Sequence, residues 1–178
     1  LVATVVVLSF LTLYYLGNKI VTKADSLNFS KPVAIGLMIS IGIGLHNFGE
    51  GLAIGAAVGI GSIAFSTFLI VGFALHNTTE GIAIAAPMSR GKLMLGKLAI
   101  MGMIAGTPAI FGAWIGGFAY SPFTSVIFLA IGAGAIFQVI LVLMKWIQKE
   151  NNGNLSTLSI VSGFAIGMLV MYLTSILV

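Results

Sequence analysis

The sequence predicts an all-α, polytopic membrane helix bundle, and three observations carry that expectation. Hydrophobic residues make up 59% of the chain and charged residues 7%, whereas a soluble domain carries about a quarter charged residues. The apolar residues gather into runs that can cross about 30 Å of hydrocarbon as helices rising about 1.5 Å per residue. The basic residues fall in alternate gaps between those runs. Six runs qualify, at residues 1–21, 33–60, 63–87, 98–119, 124–145 and 158–178, and they are expected to form a single transmembrane domain over 1–178.

The first run has no basic leader and no small-residue cleavage site, so it reads as a membrane helix rather than a signal peptide. It begins at Leu1 already inside apolar sequence, and the sixth run ends the same way, as a piece of a longer protein would. Lys31-Pro32 opens the second run, and Ser89-Arg90-Gly91-Lys92, Ser121-Pro122 and Asn151-Asn152-Gly153-Asn154 separate the later ones. These are turn compositions, too short for domain linkers. Lys19, Lys23 and Lys31 flank the first gap, Arg90, Lys92 and Lys97 the third, and Lys145 and Lys149 the fifth, while the second and fourth gaps carry no charge. The positive-inside rule then makes the odd loops cytoplasmic and puts both ends of the chain on the outer face. Membrane orientation thus accounts for the net charge of +4 without a nucleic-acid partner.

Within the second and third runs lies a repeated polar hexapeptide, His46-Asn47-Phe48-Gly49-Glu50-Gly51 and His76-Asn77-Thr78-Thr79-Glu80-Gly81. An ionisable side chain at membrane depth costs about 2.5–3.5 kcal/mol on an insertion scale, so a repeated His/Glu pair points to function. Residues four apart share a helix face, which puts Gly42, His46 and Glu50 on one stripe and Gly72, His76 and Glu80 on another. His46 lies about 20 Å along its helix, near mid-membrane. The two helices run in opposite directions, so the copies form an inverted repeat around one expected centre. Gly42 and Gly72 are expected to let the two backbones approach, and Gly51, Gly55 and Gly59 to extend a small-residue seam.

Two imidazoles and two carboxylates make an N2O2 set suited to Zn²⁺ and tolerable for Fe²⁺, Mn²⁺, Co²⁺ or Cd²⁺. Asn47 and Asn77, about 100° around the helix from each His, could serve the ion, a water or a neighbouring backbone. Interhelical glue and a proton relay stand as alternatives for the same residues. The chain has no cysteine, which removes disulfides and thiolate sites and disfavours Cu(I).

The paired motif resembles that of the ZIP (Zrt/Irt-like) family of divalent metal transporters, including its GufA-like prokaryotic members, whose fourth and fifth helices carry His-Asn-x-x-Glu-Gly or close variants. The resemblance implies an eight-helix fold of which this chain supplies the third to eighth helices, without the first two. It implies that His46, Glu50, His76 and Glu80 form the primary transport site, with Asn47 and Asn77 at a neighbouring second position. Gly49 and Thr79 stand where relatives often have proline, Thr107 where many have an acid, and Val142 and Leu143 where acids often lie. These departures predict one strong metal position and at most a weak second one. The stretch from Thr22 to Lys31 is too short to be the His-rich sensing loop of some relatives.

Elsewhere Gln138 is the notable polar residue of the fifth run, more in keeping with a helix contact than with the ion path. Ser40, Ser66, Thr67 and Thr107 read as backbone-bonded or interhelical contacts, and Met38, Met101 and Met103 as apolar filler. Trp114, Tyr120, Trp146 and Tyr172 read as interface anchors or packing residues. The pairs Gly102/Gly106, Gly112/Gly116 and Gly163/Gly167 have helix-packing spacing. With no phosphate loop or nucleophile triad, the chain is expected not to be an enzyme and to use no organic cofactor. The expected function is uptake of divalent transition metal, chiefly zinc, into the cytoplasm. The runner-up is a membrane metal sensor or scaffold without flux, and a proton path through the same residues is a weaker third. The expected partners are the ion, the lipid bilayer and, as an assembly, a second copy in a homodimer. The expected location is a prokaryotic inner membrane.

Overall fold

The computed structural model describes residues 1–24, 26, 29–89 and 95–176. Six helices follow one another: α1 (Val2–Thr22), α2 (Lys31–Gly59), α3 (Ile63–Ala85, continued by one 3₁₀ turn, Ala86–Met88), α4 (Leu95–Phe118), α5 (Pro122–Glu150) and α6 (Leu158–Ile176). All six are long and apolar enough to cross a membrane, and no strand occurs among the described residues. Arg90 and Lys92, two of the three basic residues of the third gap, lie outside the described residues, as do Asp25 and the last two positions of the sixth run.

Helix boundaries follow local chemistry. Proline in the first turn starts both α2 and α5, where its missing N–H costs nothing. Ser121 caps α5, its hydroxyl accepting from the Thr124 N–H at 3.5 Å. α5 continues past its apolar run to Glu150 because Lys145, Gln148 and Lys149 are good helix formers whose stems can lie along apolar surface. It stops where Asn152 and Gly153 take φ of 51° and 86° and the Gly153 N–H returns to the Gln148 carbonyl at 2.8 Å, a left-handed helix ending.

α2 is the axis of the bundle. It packs most extensively on α4, then on α5 and α3, and it contributes the largest share of the buried residues. Small residues fasten it to α4: a Cβ on Gly51 or Gly55 would run into the carbonyl oxygens of Ala109 or Ala113, and one on Gly112 or Gly116 into those of Phe48 or Leu52. Such backbone approach, with Cα–H groups facing carbonyls, is how helices associate where burial from water offers no drive. A second pair forms between α1 and α5, where Gly134 meets the Val6 carbonyl and the Ser9 hydroxyl donates to Ile131 O at 2.8 Å. α3 returns antiparallel to α2, its end resting against Gly36 through Ile84 and Met88. α6 packs mainly on α3 and is otherwise exposed.

Two packing expectations are corrected. Gly42 faces Val139 and Gln138 of α5 instead of α3. Gly102, Gly106, Gly163 and Gly167 have open space where a side chain would stand, so of the three spaced pairs only Gly112/Gly116 is a packing motif among the described residues.

Candidate metal centre

The α2–α3 hairpin sets Glu50 between two imidazoles. Glu50 Oε1 lies 3.3 Å from His46 Nε2, one turn earlier on α2, and 2.5 Å from His76 Nε2 across the helix pair. Ligand atoms of these three residues fall within 4.8 Å of one another. The Asn77 amide donates to the other Glu50 oxygen at 3.4 Å, and Phe73 sets its ring edge-on to His76 at 5.4 Å between centroids. Glu50 itself is 6% exposed. Such a group is compact enough to share one cation, which would replace the His–carboxylate contacts with metal–ligand bonds of about 2.0–2.2 Å.

Glu80 departs from the expected four-ligand convergence. It lines the same cavity of about 510 Å³ as His46, Glu50 and His76, yet it stands outside the 4.8 Å group. On antiparallel helices the residues that meet at one height are the Glu of one copy and the His of the other. Glu50 and His76 form one such pair; His46 and Glu80, each a turn away, are the other, but among the described residues they make no ion pair and Glu80 stays out of the group. Its Oε2 is buried without a partner, as are the Oδ1 atoms of Asn47 and Asn77. Three orphaned acceptor oxygens around a His/Glu group leave an unmet demand for positive charge or donors.

Asn47 has a second duty that its sequence does not announce. Pro108 lies inside α4 and has no N–H to return to Ile104. α2 covers that break: Gly44 sits against the Ile104 carbonyl, and the Asn47 amide donates to Ala105 O at 3.1 Å. Of the alternatives for Asn47, its NH2 group serves the neighbouring backbone. Thr107, expected in place of an acid, is exposed on the outer side of α4 beside Ile100, Met103 and Phe111, so it does not face the centre. Val142 and Leu143 pack against the apolar core around Ile39, Ile43 and Met101. Ser40, Ser66 and Thr67 bond to carbonyls three or four residues back.

Sequence reasoning missed the far wall. Gly132 of α5 lies against His46, where a Cβ would stand 3.2 Å from the His46 Cα, and Leu129, Ala133, Ile136 and Met171 close the cavity. The run Gly132-Ala133-Gly134-Ala135 was the available signal, since a block of small residues in a long apolar helix marks close approach.

Comparison with protein-family models, with curated proteins and with solved structures finds no match to this chain.

Proposed function

We propose that this chain is a ZIP-like transport unit for divalent transition metal, with Zn²⁺ as the preferred cargo and Fe²⁺, Mn²⁺, Co²⁺ and Cd²⁺ as lesser ones, carried toward the cytoplasm. The observation that carries the reading is the placement of Glu50 between His46 and His76 inside helices apolar enough to span a membrane. Two imidazoles and a carboxylate match the ligand preference of zinc, and the orphaned oxygens of Glu80, Asn47 and Asn77 offer the remaining positions and the second negative charge. Under this reading the two hexapeptides are the halves of an inverted repeat, the helices are the third to eighth of an eight-helix fold, and 1–178 acts as one transmembrane domain. The lysine-bearing end faces the cytoplasm of a prokaryotic cell, with a homodimer as the assembly, and the protein moves its substrate without chemical conversion.

The packing suggests how access would alternate. α4 is fastened to α2 by the glycine seam, and α1 to α5 by Gly134, so α4 would travel with α2 and α3 past α1 and α5. The sliding surface then runs between α2 and α5, where Gly132 meets His46.

The test is Zn²⁺ influx into proteoliposomes, the parent protein beside a membrane-inserted His46→Ala/His76→Ala variant. Influx in the parent that the double substitution abolishes is the expected result. Zn²⁺ binding by the parent without influx would replace this reading with the sensor or scaffold, which the outward-facing Thr107 and apolar Val142 and Leu143 favour. Acidification independent of metal would point to a proton path.

A further inference from the structure

A second cavity, of about 360 Å³, opens at the lysine-bearing end among the ends of α1, α2 and α5, with Asn18, Lys31, Lys145, Lys149 and Glu150 in its wall. Gln138 of α5 also lines it, though that side chain is only 1% exposed and its Oε1 has no partner. A buried amide oxygen left unpaired is destabilising, which a leucine of similar volume would avoid. Two other helices nonetheless make room for it. A Cβ on Gly17 of α1 would lie 3.3 Å from Gln138 Nε2 and 2.9 Å from the Met38 methyl, and one on Gly42 of α2 would lie 3.3 Å from Gln138 Oε1.

Gly42 ties this residue to the metal centre, for it is one turn from His46 on the same face of α2. On α5, Gly132 touches His46, and Gln138 follows about 9 Å further along the axis at about 1.5 Å per residue. Gln138 and Met38 line the lysine-bearing cavity, and Gly42, which Gln138 approaches, leads from them to His46 one turn away on α2. The unpartnered atom of Gln138 is a neutral oxygen, which can replace one water of a divalent ion's shell without holding the ion as a carboxylate would. Beyond it the cavity wall carries Lys31, Lys145 and Lys149 beside one carboxylate, Glu150, a net positive lining that favours onward passage of a dication over its retention.

We propose that Gln138 is a hand-off residue, passing a partly hydrated divalent ion between the His46/Glu50/His76 centre and the lysine-bearing cavity, and thereby setting the rate of transfer without setting affinity. The proposal rests on the transport reading above. The full chain is compared with Gln138→Leu and Gln138→Glu for Zn²⁺ influx in proteoliposomes, for Zn²⁺ binding by calorimetry and for thermal unfolding. Gln138→Leu is expected to keep Zn²⁺ affinity and stoichiometry while influx falls about tenfold, the factor for losing about 1.4 kcal/mol at the barrier. Gln138→Glu, which restores an oxygen and adds charge, is expected to recover influx at low Zn²⁺ and to saturate earlier. Wild-type influx in folded Gln138→Leu overturns the hand-off while leaving the transport reading intact. Loss of binding together with influx also overturns it, by making Gln138 part of the centre or its support. A parent that binds without influx overturns both. If Gln138→Leu does not insert, Gln138→Met, of similar length, takes its place, with unchanged affinity and reduced influx again the expected result and wild-type influx again the contrary one.

Discussion

The hexapeptide on α2 and the one on α3 share the His-Asn-x-x-Glu-Gly pattern but occupy different surroundings. On α2, Asn47, Gly49, Glu50 and Gly51 are buried, Gly51 lies against the Ala109 backbone, and Asn47 serves the Pro108 break in α4. On α3, Thr78, Thr79 and Gly81 are exposed, Gly81 has open space beside it, and the Asn77 amide reaches across to the Glu50 carboxylate. The α2 copy is part of the scaffold as well as of the candidate centre, whereas the α3 copy presents His76 and Glu80 from a lightly packed helix. Identical residue types at equal spacing therefore do not imply equal roles.

The two glycines that end the motifs give the largest test of that difference. Gly51→Val should prevent stable assembly, since its Cβ would overlap the Ala109 backbone and exceed the usual overpacking cost of about 1–3 kcal/mol. Gly81→Val should fold and melt close to the parent, as read by thermal unfolding in detergent. Equal loss in both would show that the motif is structural in each helix. The carboxylates come next. Glu50→Gln should lower Zn²⁺ affinity about a hundredfold or more, because Glu50 touches both imidazoles, and Glu80→Gln about tenfold, by calorimetry on folded protein. Reversal of that order would place Glu80 at the heart of the centre. The asparagines carry the smallest effect: Asn47→Ala should cost stability on the scale of a membrane interhelical bond, about 0.6 and up to 1.7 kcal/mol, and Asn77→Ala less. A larger loss at Asn77 would sink the distinction between scaffold and ligand helix.

The helices were legible because a span must be long and apolar, and that requirement leaves its mark on composition. The shared face of His46 and Glu50 was legible for a similar reason, since four residues nearly complete a turn. What each glycine meets was not. In water, an apolar stripe separates the buried face of a helix from the exposed one, but in lipid both faces are apolar and the period carries little information. The sequence accordingly pairs Gly42 with the wrong neighbour and gives Gly102 and Gly163 partners they lack, and it does not show that Thr107 is exposed. Gly132 was passed over because nothing in its own helix refers to His46. The separation of Glu80 from His46 depends on how the two helices cross and how the Glu80 side chain turns, which equal spacing within each copy leaves open.

α6 is held mainly by α3 and contributes Met171 to the wall of the cavity around His46, Glu50 and His76. Among the described residues, Thr174 alone is buried along its length. In a bilayer, acyl chains would complete the enclosure that the polypeptide leaves thin on that side. Membrane fluidity and acyl-chain composition would then be structural variables of the cavity, acting on the access of water to His76 through a single, lightly packed helix.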